Sequence, residues 1–114
     1  SPINKVSALK MAFANKEKIE KALWKDLHKS PEESYLTEIS IVTGEIDNHI
    51  KHLKKWARPK RVSTPLHLLP SSSKIIYEPL GVALIVAPWN YPFQLLINSL
   101  VGSISSGCCC ILKP

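Results

Sequence analysis

Hydrophobic residues in the first part of the chain recur with the period of a helix. Between about Asn4 and His28, Val6, Leu9, Phe13, Ile19, Leu23 and Leu27 share one side, while Lys16, Glu17, Lys18, Glu20 and Lys21 fill the other. This spacing predicts one amphipathic helix. Ser30-Pro31-Glu32-Glu33 then supplies a helix start: Ser30 offers an acceptor to free amides, Pro31 suits the first turn, and Glu33 completes a capping box. Behind it Tyr35, Ile39, Val42, Ile46, Ile50, Leu53 and Trp56 fall three or four positions apart. They predict a long helix whose apolar stripe needs a partner surface and which Pro59 ends.

The pattern changes over residues 60–79. Pro65, Pro70 and Ser71-Ser72-Ser73 punctuate the short apolar pieces Pro65-Leu66-His67-Leu68-Leu69 and Lys74-Ile75-Ile76-Tyr77, which predict short strands around a turn, a β-ribbon projecting from the body. Gly81 to Ala87 is apolar at every position, the pattern of a strand buried on both faces of a parallel sheet. Pro92 to Ser105 reads as a helix carrying Phe93, Leu96, Ile97, Leu100 and Ile104, with Gly107 as its breaker and Cys109 to Leu112 as a second buried strand. Strand, helix and strand make a βαβ unit with an expected right-handed crossover. The predicted fold class is therefore α/β, a Rossmann-like parallel sheet in its first unit, with ligands expected outside the carboxyl ends of the strands.

Composition narrows the function classes only a little. With 114 residues, 45% hydrophobic and 21% charged, the chain has the composition of a folded unit, not a disordered one. The net charge of +6 is concentrated in Lys51, His52, Lys54, Lys55, Arg58, Lys60 and Arg61. That cluster reads as a solvated helix end favoured by the helix dipole, since no base-stacking aromatics interleave with it and Trp56 falls on the apolar side. The rival reading is a basic helical binding module for an acidic partner, nucleic acid or membrane, and it leaves the last third of the chain unexplained. No apolar run reaches the ~18 residues of a membrane span, and the opening Ser1-Pro2-Ile3-Asn4-Lys5 has no signal-peptide h-region, so a cytoplasmic protein is expected. Cys108, Cys109 and Cys110 are consecutive, which is neither a disulfide framework nor a metal pair, and fits a reducing compartment. His28, His49, His52 and His67 show no ligand spacing with cysteine or carboxylates and read as structural or surface residues; no metal site is expected.

The last third carries a family resemblance. Glu78-Pro79-Leu80-Gly81-Val82-Ala83-Leu84-Ile85-Val86-Ala87-Pro88-Trp89-Asn90-Tyr91-Pro92-Phe93-Gln94, continuing through Val101-Gly102 and Gly107 to Ile111-Leu112-Lys113-Pro114, closely resembles the first strand, turn, helix and second strand of the aldehyde dehydrogenases. Tyr35-Leu36-Thr37-Glu38-Ile39, Glu45-Ile46-Asp47, His52-Leu53-Lys54-Lys55-Trp56 and Pro59-Lys60-Arg61-Val62 resemble the class 3 and fatty-aldehyde branch. The resemblance covers essentially the whole chain and corresponds to the N-terminal part of such an enzyme. It implies residues 1–59 as a helical segment packing on the cofactor domain, 60–79 as the ribbon of the oligomerisation region of a homodimer, and 80–114 as the start of the NAD(P)-binding domain.

The resemblance also implies roles. Asn90 is similar to the asparagine whose side-chain amide binds the oxyanion formed when a cysteine thiolate attacks the aldehyde. A neutral, oriented N–H donor suits charge that develops in the transition state, and losing one such donor costs roughly 3–4 kcal/mol. Ala87, Pro88, Trp89 and Asn90 resemble the turn lining the cofactor cleft, and Lys113 resembles the lysine that reaches the adenosine ribose of NAD or NADP. Read alone, Asn90 is a turn residue, Lys113 a solvated strand end and Trp89 a core side chain. The expected activity is oxidation of aldehydes to carboxylic acids through a cysteine thioester. The nucleophile and general base are not expected among these residues, so the stretch alone is expected to be inactive. Cys108 stands where the family more usually has asparagine, and burial is expected to raise its thiol pKa. The first strand is not followed by G-x-G-x-x-G, which fits the family's unusual cofactor binding and not an ordinary dinucleotide fold.

Overall fold

In the computed structural model, which describes residues 1–114, the first amphipathic stretch is two helices instead of one. Helix α1 spans Pro2–Ala12 and α2 spans Lys16–Leu27, with Phe13 closing the first and Asn15 at the N-cap of the second. The break falls where the two halves of the stripe seek different surfaces. Ile3, Val6, Leu9 and Phe13 pack on the main core, and the Phe13 ring meets Phe93 edge-on with centroids 5.2 Å apart. Helix α2 instead lies against the next helical segment and buries only Leu23 fully. His28 ends α2 in the left-handed conformation at φ 54° and directs the chain into Lys29.

One half of the expected capping box forms: the Ser30 hydroxyl accepts from the Glu33 amide at 3.2 Å and Pro31 occupies the first turn, but the Glu33 carboxylate makes no return bond to the Ser30 amide. The helix it opens is not uniform. A short α3, Pro31–Ser34, passes through a π-turn at Tyr35–Ile39 into α4, Ser40–Trp56. The wider turn shifts the inward face, so Ser34 and Glu38 join Ile39, Val42, Ile46 and Leu53 inside, whereas Tyr35 and Trp56 are 42% and 45% exposed. The apolar stripe is thus correct through its middle and wrong at both ends: a constant helical period does not anticipate the additional residue of the π-turn at Tyr35, and Trp56 is the last residue of α4.

Strands β1, Lys60–Val62, and β2, Ser73–Ile75, pair antiparallel as a small ribbon, with Lys60 opposite Ile75. Between them Leu66–Leu68 forms a single 3₁₀ turn where a strand piece was expected; Pro65 opens it and Leu69 returns to extended backbone. Nearly all side chains from 60 to 80 are exposed.

Strand β3, Val82–Val86, runs through α5, Pro92–Ser105, to β4, Cys109–Lys113, and the two strands pair in parallel from Val82–Cys109 to Val86–Lys113. The fold is α/β. Helices α1, α4 and α5 enclose one core of Val6, Val42, Ile46, Leu53, Ile85, Ile97, Leu100 and Val101. Within these 114 residues only one face of the β3–β4 pair is covered, where the apolar run predicts burial on both. Ile85 points into the core, while Val82, Leu84 and Val86 on the alternate face are all more than 65% exposed. Side chains alternate along a strand, and α5 packs on one face only. No helix is long and apolar enough to cross a membrane.

Candidate functional site

The parallel strands β3 and β4 finish level with each other. Val86 lies opposite Lys113, and one residue on the Ala87 amide donates to the Lys113 carbonyl at 3.3 Å. The chain then turns through Pro88, Trp89, Asn90 and Tyr91 into α5, whose first residue is Pro92. Ala87 is half-buried; Pro88, Trp89, Asn90 and Lys113 are exposed. All five residues singled out in the sequence therefore gather at the carboxyl end of the sheet, the place where open α/β sheets take ligands. Trp89, at 76% exposure, lies outside the core that these 114 residues form.

Beneath this turn sits a pair of charges that sequence reasoning did not single out. Glu38 is 0% exposed and Lys29 is 8% exposed. The Glu38 Oε1 accepts from the amides of Phe93 at 2.9 Å and Gln94 at 3.2 Å, while its Oε2 accepts from Lys29 Nζ at 3.0 Å. Helix α5 has no side-chain cap at Tyr91, so the carboxylate of a distant helix satisfies two of its orphan amides. Its negative charge also lies at the positive end of the α5 dipole. Lys29 Nζ makes a second bond, to the Asn90 carbonyl at 3.1 Å, and rests over the Tyr91 ring 4.2 Å from its centroid. An isolated buried carboxylate or ammonium is costly; here each compensates the other and both engage the same turn. A signal was present, since Glu38 lies four positions from both Ser34 and Val42 and so borders the apolar stripe.

A second polar chain joins α4 to α5. His49 contacts Ser105 Oγ through Nδ1 at 2.6 Å and Glu45 Oε1 through Nε2 at 2.9 Å, and its ring meets Trp56 edge-on. His52 stacks on the same tryptophan. Both histidines thus have structural roles.

The sequence model of the aldehyde dehydrogenase family matches residues 6–114. The chain belongs to that family. It is 46% identical over 104 residues to an aldehyde dehydrogenase family 3 protein of Dictyostelium discoideum, covering 91% of this chain and 22% of that protein. To the 4,4'-diaponeurosporen-aldehyde dehydrogenase of Staphylococcus aureus it is 48% identical over 93 residues, covering 82% of this chain and 20% of that protein. The solved substrate-bound state of Staphylococcus aureus AldH superposes with a TM-score of 0.94 at 42% identity, over 99% of this chain and 25% of that one. The chain spans about a fifth of the length of the curated relatives it matches.

In this aldehyde dehydrogenase chain the cysteine triplet opens β4. Cys108 is 9% exposed, Cys109 is exposed and Cys110 half-buried, and all three are free. The expectation that burial raises the Cys108 pKa is overturned. The Ser106 hydroxyl, 3.7 Å from its sulfur, and the Leu80 and Gly81 amides stabilise the thiolate, and together they outweigh desolvation and hold the thiol below its ordinary range. The triplet lies where β4 begins, whereas Lys113 and the Ala87–Asn90 turn lie where β4 and β3 end.

Proposed function

We propose that these residues form part of an enzyme that oxidises aldehydes to carboxylic acids with NAD or NADP through a cysteine thioester, and that Asn90 supplies an oxyanion donor. The observation that carries this reading is the placement of Asn90 on an exposed turn at the carboxyl end of parallel strands, with its backbone carbonyl held by Lys29. When a thiolate adds to an aldehyde, negative charge develops on the former carbonyl oxygen. A side-chain N–H already in place stabilises that charge without reorganising at the moment of reaction. The Ala87-to-Asn90 turn and Lys113 fit one wall of a dinucleotide cleft: they share one end of the sheet, they are largely open to solvent, and Lys113 brings a positive charge there. When bound, the nicotinamide dinucleotide supplies the hydride acceptor.

On the same reading the nucleophile and general base come from outside these 114 residues, which alone are inactive. Residues 1–59 pack on the cofactor domain, 80–114 begin its Rossmann-like sheet, and the 60–79 ribbon belongs to the joining region of a homodimer. The basic cluster around Lys54, Lys55 and Arg58 is accounted for by its position at the C-terminal end of α4, where cations oppose the helix dipole.

The test is Asn90→Ala in the complete enzyme. Turnover of a simple aldehyde should fall by about 10²–10³-fold, the effect of deleting one oxyanion donor, with dinucleotide affinity retained. Unchanged turnover would sink the role given to Asn90.

A further inference from the structure

We infer that Lys29 and Glu38 are positioning residues for the Asn90 turn; this rests on the reading of Asn90 as the oxyanion donor. A buried ion pair is weak grounds for stability, because apolar side chains of similar volume do as well or better. What apolar residues cannot do is hold polar backbone groups at fixed places. Here four contacts, two on either side of Pro92, converge on one carboxylate and one ammonium: the Asn90 carbonyl and Tyr91 ring on Lys29, the Phe93 and Gln94 amides on Glu38.

A second observation comes from the other partner. Glu38 reaches this place through the π-turn at Tyr35–Ile39, where the Ser40 amide bonds to the Tyr35 carbonyl. Such turns are uncommon within α-helices and occur frequently at functional sites. From within this turn Glu38 places a carboxylate at the N-terminus of α5 and holds Lys29, whose ammonium bonds the Asn90 carbonyl. Because the pair is neutral overall and touches only backbone at Asn90, it acts by geometry. A misplacement of about 1 Å at a catalytic group can cost about 10²-fold in rate, so a pair that sets one peptide plane has a measurable effect.

The experiment is a double-mutant cycle in the complete enzyme with Lys29→Met, Asn90→Ala and the two combined, reading kcat, aldehyde KM and dinucleotide Kd. Lys29→Met should lower kcat by about 10–10²-fold while KM and Kd hold, and should add little in the Asn90→Ala background. Since Lys29→Met leaves Glu38 unpaired and threatens folding, Lys29→Met/Glu38→Gln is measured beside it. Its glutamine oxygen still accepts from Phe93 and Gln94 and no buried charge remains, so the same loss of kcat is expected in a folded protein. Wild-type kcat in that folded double variant, or an equal loss from Lys29→Met with and without Asn90, overturns the inference while the reading of Asn90 stands. If Asn90→Ala itself keeps full turnover, that reading falls and the inference with it.

Discussion

The carboxylate of Glu38 accepts the amide hydrogen of Phe93 at 2.9 Å across 55 positions of sequence. This bond joins the π-turn before α4 to the first turn of α5, and with the Lys29 contact it makes the approach to Asn90 depend on residues from three separate segments. Local signals near Asn90 cannot show such a dependence. Helix α5 starts on a proline with an uncapped tyrosine before it, and its cap comes from elsewhere.

Removing that cap should be costly in proportion to what it leaves unpaired. Glu38→Ala strands two α5 amides and the Lys29 ammonium, and a broken buried pair of this kind costs about 3–5 kcal/mol. Glu38→Gln keeps an oxygen for Phe93 and Gln94 and should lose less. Denaturant midpoints of the complete protein should therefore fall in the order wild type, Glu38→Gln, Glu38→Ala. Equal midpoints for the two variants would mean that the amide contacts contribute nothing.

The thiol of Cys108 should titrate below its ordinary value. Hydrogen bonds from Ser106, Leu80 and Gly81 favour its thiolate, so the folded-state pKa lies below the unfolded value of about 8.5. The sign follows from linkage: the contribution to stability is present above the unfolded pKa and is lost as pH falls through the lower folded one. Alkylation followed residue by residue with mass spectrometry should give a Cys108 rate profile in the folded protein with its midpoint at lower pH than that of the same thiol in the denatured chain. Ser106→Ala should move that midpoint upward; an unmoved profile would remove the hydroxyl as the main cause.

Much of the fold was legible where local rules decide. Pro92 as the first residue of α5, Gly107 beyond its end, and the apolar runs of β3 and β4 are local features, and the helix and both strands form where these place them. The gathering of Ala87, Asn90 and Lys113 followed from the βαβ order alone. Three things were hidden. The break at Phe13–Asn15 depends on which surface each half of the stripe meets. The burial of Glu38 goes with partners in α5 and at Lys29, and the exposed face of β3 depends on what packs there. All three are set by tertiary contacts, to which a period count is blind.

The corrected face of α4 can be measured directly. Ile46 is 2% exposed at the junction of α1, α4 and α5, so Ile46→Ala should cost about 2–5 kcal/mol. Tyr35, on the stripe predicted from sequence, is turned outward to 42% exposure, with Lys16 Nζ 4.8 Å from its ring centroid. Tyr35→Ala, at a partly exposed side chain, should cost less than Ile46→Ala. Comparable losses at the two positions would contradict the shift of face.

Two glycines should respond in opposite directions to the same substitution. Gly44 lies inside α4 with nothing within 4 Å of the place a Cβ would take. Alanine there removes the helix penalty of glycine and limits the unfolded chain, a gain of about 0.4–1 kcal/mol. Gly107 has φ +85°, and an added Cβ would stand 2.8 Å from Cγ of Pro79. Alanine at 107 must leave a left-handed backbone that L residues avoid or else displace a rigid proline ring, and either way the turn from α5 into β4 moves. A loss of about 1–3 kcal/mol is expected from the backbone strain. Because Gly81 accepts the Cys109 amide at 2.9 Å next to this turn, the first rung of the parallel pair loosens with it. Thermal shifts of the two variants should therefore have opposite signs, and hydrogen exchange at the Cys109 amide should quicken only in Gly107→Ala.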